Sequence, residues 1–195
     1  VGDIGNWRAK RLVKKAFGDW EAQEIDAPEY QKPPKPEQPV VNIINRSSSA
    51  QTVLKLGNTI ELEPGDPDVV ALRLTNQILG GGSLGRLFQN LRDDKGFTYG
   101  AYSSYDADRL IGDFAASASV RTEVTDSAVT EFLKEFDRLH NETVAEEDLQ
   151  NAKNYIAGSF GRSMEQPQTM ARFALNIQRY DLPKDYYKSY LQRME

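Results

Sequence analysis

The stretch 80–99 constrains the fold of this chain more than any other. It begins with three glycines and a serine, passes through an apolar stripe, and ends with a glycine and then a tyrosine. Four apolar residues recur at the i, i+3, i+4, i+7 spacing of one helix face: Leu84, Leu87, Phe88 and Leu91. We expect Ser83 to cap this helix and Gly96 to end it in a left-handed turn. A short helix between a glycine hinge and a strand therefore lies at the centre of the predicted fold.

The same stretch resembles the second structural half-domain of the pitrilysin/insulinase family of zinc metallopeptidases, which includes the mitochondrial processing peptidase. That family has glycines, then S-S-R-L-F, then L-R-E, a glycine and a tyrosine at these places. The matching positions are Gly80 to Gly82, Arg86-Leu87-Phe88, Leu91-Arg92, Gly96 and Tyr99. Leu84 and Gly85 stand where the family usually has two serines, so the chain departs from the family pattern at the start of the helix.

The resemblance implies that Arg92 and Tyr99 are substrate-binding residues. In the family, the half without zinc is similar to a lid, and an arginine and a tyrosine seven residues later reach the bound peptide. A guanidinium and a phenolic hydroxyl can both donate hydrogen bonds to a peptide carbonyl or a developing oxyanion. The structural alternative is that Arg92 only caps its own helix, where the dipole favours a cation, and that Tyr99 packs as a strand aromatic.

The histidine count bears directly on catalysis. The chain has one histidine, His140, and no cysteine, whereas catalytic zinc sites usually take two or three histidines with a carboxylate. The inverted H-x-x-E-H motif of the family's catalytic half is absent. We therefore expect no catalytic residue, no metal ligand and no cofactor in this chain, and no peptide cleavage by it alone. The resemblance implies that zinc is held by a partner, a catalytic domain or subunit of the same family.

Charge and hydropathy narrow the range of partners. The net charge is −5, which argues against a nucleic-acid partner because such proteins usually carry a basic footprint. No apolar run approaches the roughly 20 residues that span a bilayer. The compartment stays open, with the periplasm favoured if the source is bacterial. The opening Val1-Gly2-Asp3 resembles a strand end that lies midway through longer family members, so we expect a fragment of a larger polypeptide.

The first half of the chain predicts both helices and strands. An amphipathic helix is expected over 6–20, packed by its apolar face, and a proline-rich strap over about 27–39. Strands are expected over 40–45 and 51–56, the second alternating between an apolar and a polar face. The sequence from Asp66 starts a further helix, because an N-cap aspartate precedes a proline.

The second half predicts two strands and then helices. Strands are expected over 99–105 and 113–121, and the small-sided stretch 115–119 suits close approach by another segment. Four helices follow; the second opens with a capping box over 143–146 and the last begins at Pro183.

Strands and helices are grouped rather than alternating, which favours an α+β fold with an antiparallel or mixed sheet covered by helices on one face. The whole chain, 1–195, is interpreted as one domain of the half-domain type found in the family.

Two functions follow. The first is a non-catalytic, substrate-binding domain of a zinc endopeptidase, in which a peptide binds by strand addition at a sheet edge and by contacts with Arg92 and Tyr99. The alternative is a structural core subunit of a larger complex without peptidase activity, as some family relatives are.

Overall fold

The structure is a computed structural model that describes residues 2–24, 26, 29–34 and 36–195. Residue 1 of the predicted strand end and three positions of the predicted strap, 27, 28 and 35, lie outside the described residues. Residues 2–4, the rest of the predicted strand end, form no strand. The described part of the strap has no helix or strand. Its Lys32 Nζ lies 3.0 Å from Glu61 Oε2, an exposed ion pair that ties the strap to the end of the first strand.

The described residues contain three strands and helices of several kinds. The strands are β1 (Gln51–Ile60), β2 (Thr98–Asp106) and β3 (Gly112–Arg121). The α-helices are α1 (Asn6–Phe17), α2 (Asp68–Leu79), α3 (Arg86–Phe88), α4 (Thr125–Asn141), α5 (Glu146–Met164) and α6 (Pro167–Arg179). A π-helical turn, Gln89–Asp94, continues α3, and 3₁₀ turns occupy Thr122–Val124 and Gln192–Met194.

The three strands form one antiparallel sheet in the order β1-β3-β2. The central strand β3 pairs with β1 from Gln51↔Arg121 to Ile60↔Gly112, and with β2 on its other side. The strands predicted over 51–56, 99–105 and 113–121 are confirmed, and β1 is four residues longer than expected. The predicted α+β class is confirmed, with the helices on one face of an antiparallel sheet.

The main core lies between the inward face of the sheet and the helices. Its buried members are Leu79, Leu87, Leu91, Ala101, Ala116, Ala118, Val120, Ala128 and Phe132. The small-sided stretch 115–119 divides by strand alternation: Ala116 and Ala118 face this core, and Ser117 and Ser119 face solvent. Alanines on the inward face leave room for the Phe132 ring, which is fully buried.

A second apolar cluster holds the C-terminal residues. Val70, Ile156, Tyr190 and Met194 are buried together. The helix predicted from Pro183 is wrong: the chain there forms successive turns and only a terminal 3₁₀ turn. Individual tyrosines anchor it instead, since Tyr186 donates a hydrogen bond to the Pro64 carbonyl at 2.7 Å. The Tyr187 ring also stacks on Phe173 at 3.7 Å between centroids.

The first fifty residues depart most from expectation. The helix predicted over 6–20 exists but ends at Phe17, and α1 has no buried residue. Its predicted packing is therefore wrong within the described part of the chain. The strand predicted over 40–45 is also wrong, because the segment pairs with no other strand and its Ile43 and Ile44 are largely exposed. β-Propensity favours an extended backbone, whereas a strand also needs a neighbouring strand to pair with.

Two of the three predicted N-terminal helix caps are wrong. Asp66 does cap α2, because its Oδ1 accepts the Asp68 backbone N–H at 2.8 Å. Ser83 caps nothing, since the chain becomes helical only at Arg86. The capping box over 143–146 is absent because α5 begins at its last residue, with no side-chain cap.

The glycine hinge explains the late start of α3. Gly85 lies against Gly80 so closely that a Cβ on Gly85 would be 2.7 Å from the Gly80 Cα. This contact folds 80–85 into a tight turn, so Leu84 points outward and is exposed rather than part of the apolar stripe. Leu87, Phe88 and Leu91 are buried as predicted.

Candidate functional site

Arg92 lies in the π-helical turn that follows α3. The widened turn is visible in the hydrogen bond from the Lys95 N–H to the Asn90 carbonyl, 3.0 Å and five residues apart. Gly96 ends the turn with a φ of 63°, the left-handed conformation predicted for it. π-Helical turns are rare in proteins, and those that do occur often lie at functional sites.

The Arg92 side chain rests on an aromatic ring. Its Cζ lies 4.6 Å from the centroid of Phe88, four residues earlier on the same element. Its Nε is 4.0 Å from Asp93 Oδ1, a weak exposed contact. No side-chain hydrogen bond of the Arg92 guanidinium is found in the described part of the chain, so Arg92 does not cap the turn through a hydrogen bond. It does lie in the last turn of the helix, where the dipole favours a cation. Its side chain is 47% exposed, so its donors remain available to a ligand.

Tyr99 is turned to solvent by a β-bulge. The pairing of β2 with β3 shifts by one residue between Thr98 and Ala101. Beyond the shift, Ala101 and Ser103 face the core. Unbroken alternation would have placed Tyr99 on that same buried face, whereas it is 88% exposed. The interpretation of Tyr99 as a packed strand aromatic is therefore wrong.

Thr98 holds the bulge. Its hydroxyl accepts the Gly100 backbone N–H at 3.1 Å and donates to the Ser119 carbonyl on β3 at 2.7 Å. Both contacts fix the backbone on either side of Tyr99. The orientation of the phenol therefore comes from the backbone geometry of the strand, not from contacts of its ring.

Tyr102 is a third donor, which sequence reasoning missed. Its ring lies 5.7 Å from Phe88 and covers Gly100, where an added Cβ would be 2.7 Å from Tyr102 Cε2. Phe88 thus contacts both Arg92 and Tyr102. In the described part of the chain, no hydrogen bond or ring contact joins Arg92 directly to Tyr99. The i, i+4 spacing of Phe88 and Arg92 could have indicated the stacking from sequence. We call Arg92, Tyr99 and Tyr102 the donor surface.

The donor surface continues onto the uncovered face of the sheet. Tyr102 is paired with Ser117 of β3, and Ser117 is paired in turn with Lys55 of β1. Ser119 and Val53 lie opposite each other one step further along, and both are exposed. This face therefore offers small polar side chains beside two exposed tyrosines.

A buried polar cluster fastens the π-helical turn to α4. Asn90 Nδ2 donates to Glu131 Oε2 at 2.8 Å and to Glu135 Oε1 at 2.7 Å. Glu135 is only 1% exposed, and Arg138 Nη1 donates to both of its oxygens, at 3.1 and 2.9 Å. The hydrogen bond from Asn90 holds the pKa of the Glu131 carboxyl below its ordinary value.

Beside β1 there is an open groove of about 1990 Å³ between that strand and the segment 36–46. Leu133 and Phe136 of α4 also line it. No further strand pairs with the outer edge of β1 in the part of the chain that the structure describes. The outer edge of β2 is partly occupied, because the Ser103 N–H donates to the Gly80 carbonyl. β1 is therefore the edge at which strand addition is possible.

Neither a metal centre nor a membrane span is found in the described ranges. No three or more His, Cys, Asp or Glu side chains there are placed to hold a metal ion together. His140 lies in the last turn of α4 and is exposed. None of the helices there combines the length and the apolarity needed to cross a bilayer.

Residues 1–156 match the family described as the peptidase M16 inactive domain. Among curated proteins, the chain is 28% identical over 160 residues to the uncharacterized zinc protease YmxG of Bacillus subtilis, an alignment that covers 78% of this chain and 36% of that protein. The chain therefore spans about a third of the length of this relative.

Solved structures match the whole chain. A peptidase M16 inactive domain from Pseudomonas fluorescens matches 100% of this chain and 46% of its own, with a TM-score of 0.80 and 25% identity. A protease from Helicobacter pylori, at 20% identity and a TM-score of 0.85, matches 100% of this chain and 47% of its own. The second likeness concerns the fold alone.

Proposed function

The chain belongs to the family of peptidase M16 inactive domains, and on that premise we propose that it is the substrate-contacting, non-catalytic part of a zinc endopeptidase. Arg92 and Tyr99 bind the peptide, and the zinc ion is held by another domain or subunit. The observation that carries this proposal is the exposure of unused donors. The Tyr99 phenol is 88% exposed, and the Arg92 guanidinium is fixed on Phe88 without a hydrogen bond of its own.

These donors suit a peptide backbone. Carbonyl oxygens of an extended peptide accept hydrogen bonds at intervals, and a guanidinium and a phenol can each supply one. Because the bulge and the Phe88 ring already hold these groups, little conformational entropy is lost when a peptide binds. A peptide held in one orientation reaches the reacting centre of the partner in a defined register.

The chain's own residues do not fit a zinc ion. His140 is its one histidine and cysteine is absent, and no ligand cluster exists among the described residues. A zinc ion held by the partner would supply the activated water for hydrolysis. The contribution of this chain is then to bind and orient the peptide.

Exposed apolar side chains in the first fifty residues support the presence of a protein partner. Val13 and Phe17 on α1, and Trp20 just after it, are 58%, 52% and 76% exposed, and we call these three side chains the N-terminal apolar stripe. Contiguous apolar surface of this kind marks protein contacts. The two solved structures described above, from Pseudomonas fluorescens and Helicobacter pylori, are about twice the length of this chain. We propose that the zinc-bearing half covers this stripe.

The groove beside β1 supports a second mode of peptide contact. An extended peptide added to the free edge of β1 would gain main-chain hydrogen bonds, and its side chains would meet Leu133 and Phe136 of the groove. Strand addition depends little on peptide sequence, so it would broaden the range of substrates. Arg92 and Tyr99 would then provide local orientation.

Two substitutions in the full-length protein test the roles of these residues. We expect Arg92→Ala and Tyr99→Phe each to lower kcat/KM for fluorescein-labelled casein, by about tenfold and about threefold, as lost hydrogen bonds to the substrate would. Both side chains are exposed or half-exposed, so folding should be unaffected. Arg172→Ala, at an exposed arginine of α6 that lies outside both the donor surface and the groove, is the matched control. Unchanged turnover in both variants would remove the assigned roles.

A structural subunit of a larger complex is the other candidate. No contact in the described residues favours it over substrate binding. The curated relative carries the name of a zinc protease, which favours the peptidase. Casein cleavage by the full-length protein would exclude a purely structural role.

A further inference from the structure

We propose that Asn90 is a positioning residue for Arg92. Its carboxamide fastens the π-helical turn to α4 and so sets where the Arg92 guanidinium stands on the donor surface. The proposal rests on the proposed function, because it concerns the residue that we expect to contact the peptide. It adds a role for a side chain that is only 8% exposed and cannot itself meet a substrate.

The placement of Asn90 is unusual for a core position. It lies between the buried Phe88 and Leu91, and its Nδ2 donates to two carboxylates of α4, one of which belongs to the buried Glu135. Its Oδ1 is buried without a hydrogen-bond partner, which costs about 1–3 kcal/mol. Asn90 therefore satisfies the Glu135 carboxylate and, through the same hydrogen bonds, joins the π-helical turn to α4.

The contacts of Asn90 and Lys95 with Glu131 and Glu135 of α4, which we call the clamp, restrain the π-helical turn from both sides. Glu135 is buried and paired with Arg138 at 2.9 Å, so Asn90 is bonded to a carboxylate that is itself held by a second group. Glu131, its other partner, is also contacted by Lys95 at 3.8 Å, at the end of the same turn. The turn is therefore attached to α4 at Asn90 and at Lys95, on either side of Arg92. Rotation of the backbone at Arg92, which would carry the side chain away from Phe88, would require both attachments to shift.

The π-hydrogen bonding makes this restraint necessary. A turn closed by i→i+5 bonds is less favourable than an α-helical turn, so the segment can relax by re-forming i→i+4 bonds. Such a relaxation would rotate the residues after Asn90 about the helix axis. The two hydrogen bonds from the Asn90 amide hold the wider turn against it. Without them, we expect Arg92 to leave the Phe88 ring.

Asn90→Leu in the full-length protein tests the positioning role. The leucine takes the amide donor away from the buried Glu135 carboxylate, so the unfolding midpoint should fall. Spectra and activity are therefore compared at a temperature where both proteins are folded. The NMR signals of the Arg92 side chain should lose the ring-current shift that Phe88 imposes in the parent protein. The kcat/KM for fluorescein-labelled casein should fall by about tenfold, as expected when a contact residue is misplaced. Gln89→Leu, an exposed amide of the same turn, is the control and should change none of these.

The outcomes separate this inference from the proposed function. If Arg92→Ala lowers kcat/KM and Asn90→Leu leaves both the Arg92 ring-current shift and kcat/KM unchanged, Arg92 contacts the peptide and the positioning role is refuted. If Arg92→Ala has no effect, the proposed function fails, and the ring-current shift still decides whether Asn90 positions the side chain. Should Asn90→Leu not fold, Glu135→Gln weakens the same clamp and must shift the Arg92 signals.

Discussion

The first fifty residues and the remainder of the chain follow the same sequence rules and reach opposite outcomes. α1 and α4 are both strongly amphipathic helices. α4 buries Phe132 completely in the main core, whereas α1 buries nothing. The segment 40–45 and the strand β1 differ in the same way. Both were predicted as strands, but β1 pairs with β3, whereas 40–45 pairs with no strand.

The difference teaches that amphipathicity specifies a surface to be covered but not what covers it. Every buried residue in the described part of the chain lies at position 70 or beyond. Residues 51–195 thus supply a core for themselves. The described residues before 51 expose apolar side chains that the core of 51–195 does not cover. Exposed apolar surface of this kind often marks a contact with another protein domain.

The largest expected effect comes from one substitution made in both regions. Phe132→Ala should lower the free energy of unfolding by about 3–5 kcal/mol, because it leaves a cavity in a fully packed core. Phe17→Ala, on the 52% exposed face of α1, should change it by less than about 0.5 kcal/mol. Urea unfolding monitored by circular dichroism measures both. Similar losses for the two variants would mean that α1 packs on the core.

An intermediate effect is expected at alkaline pH. Burial raises the pKa of Tyr190 to about 12 from the ordinary 10.0. As the pH rises above 10, the unfolded chain releases this proton first, so the free energy of unfolding falls until the folded pKa is passed. We expect Tyr190→Phe to remove a part of this fall on the order of 1 kcal/mol.

The exposed Tyr30 of the first region provides the control for that measurement. Tyr30→Phe should leave the alkaline dependence as in the parent protein. The two variants are compared by urea unfolding at a series of pH values. A slope unchanged in Tyr190→Phe would show that the Tyr190 phenol is as solvated in the folded protein as in the unfolded chain.

The smallest effect should appear in tryptophan fluorescence. Both tryptophans, Trp7 and Trp20, lie in the first region, 72% and 76% exposed. Their emission maximum should hardly move when urea unfolds the core, while circular dichroism shows the full transition. A large red shift with unfolding would place these rings in a packed environment and would end the distinction between the two regions.

Local pattern predicted most of residues 51–195. Alternation in β1 and the stop at Gly96 are confirmed, and helices follow the last strand as predicted, because each depends on contacts within a few residues of chain. The helix expected at Pro183 failed since its tyrosines bond individually to distant groups, such as the Pro64 carbonyl. The packing of 6–20 and the pairing of 40–45 failed because both depend on a partner.

The candidate site divides in the same way. Arg92 and Tyr99 could be chosen from the sequence because their spacing matched a family pattern. The bulge that exposes Tyr99 could not be found, since a register shift is a property of two strands and not of one. Asn90 escaped attention for a similar reason: its carboxylate partners are 41 and 45 residues further along the chain.

By itself, the sequence determined the order of most helices and strands, the turn at Gly96 and the lack of a zinc-ligand set in a chain with one histidine. Those properties depend on residue type and near-neighbour spacing. Only the tertiary structure decided which amphipathic faces are buried and that Tyr99 faces solvent. It also decided that the π-helical turn carrying Arg92 is bonded to α4 through Asn90. Each of these requires groups distant in sequence to meet, and that is set by packing.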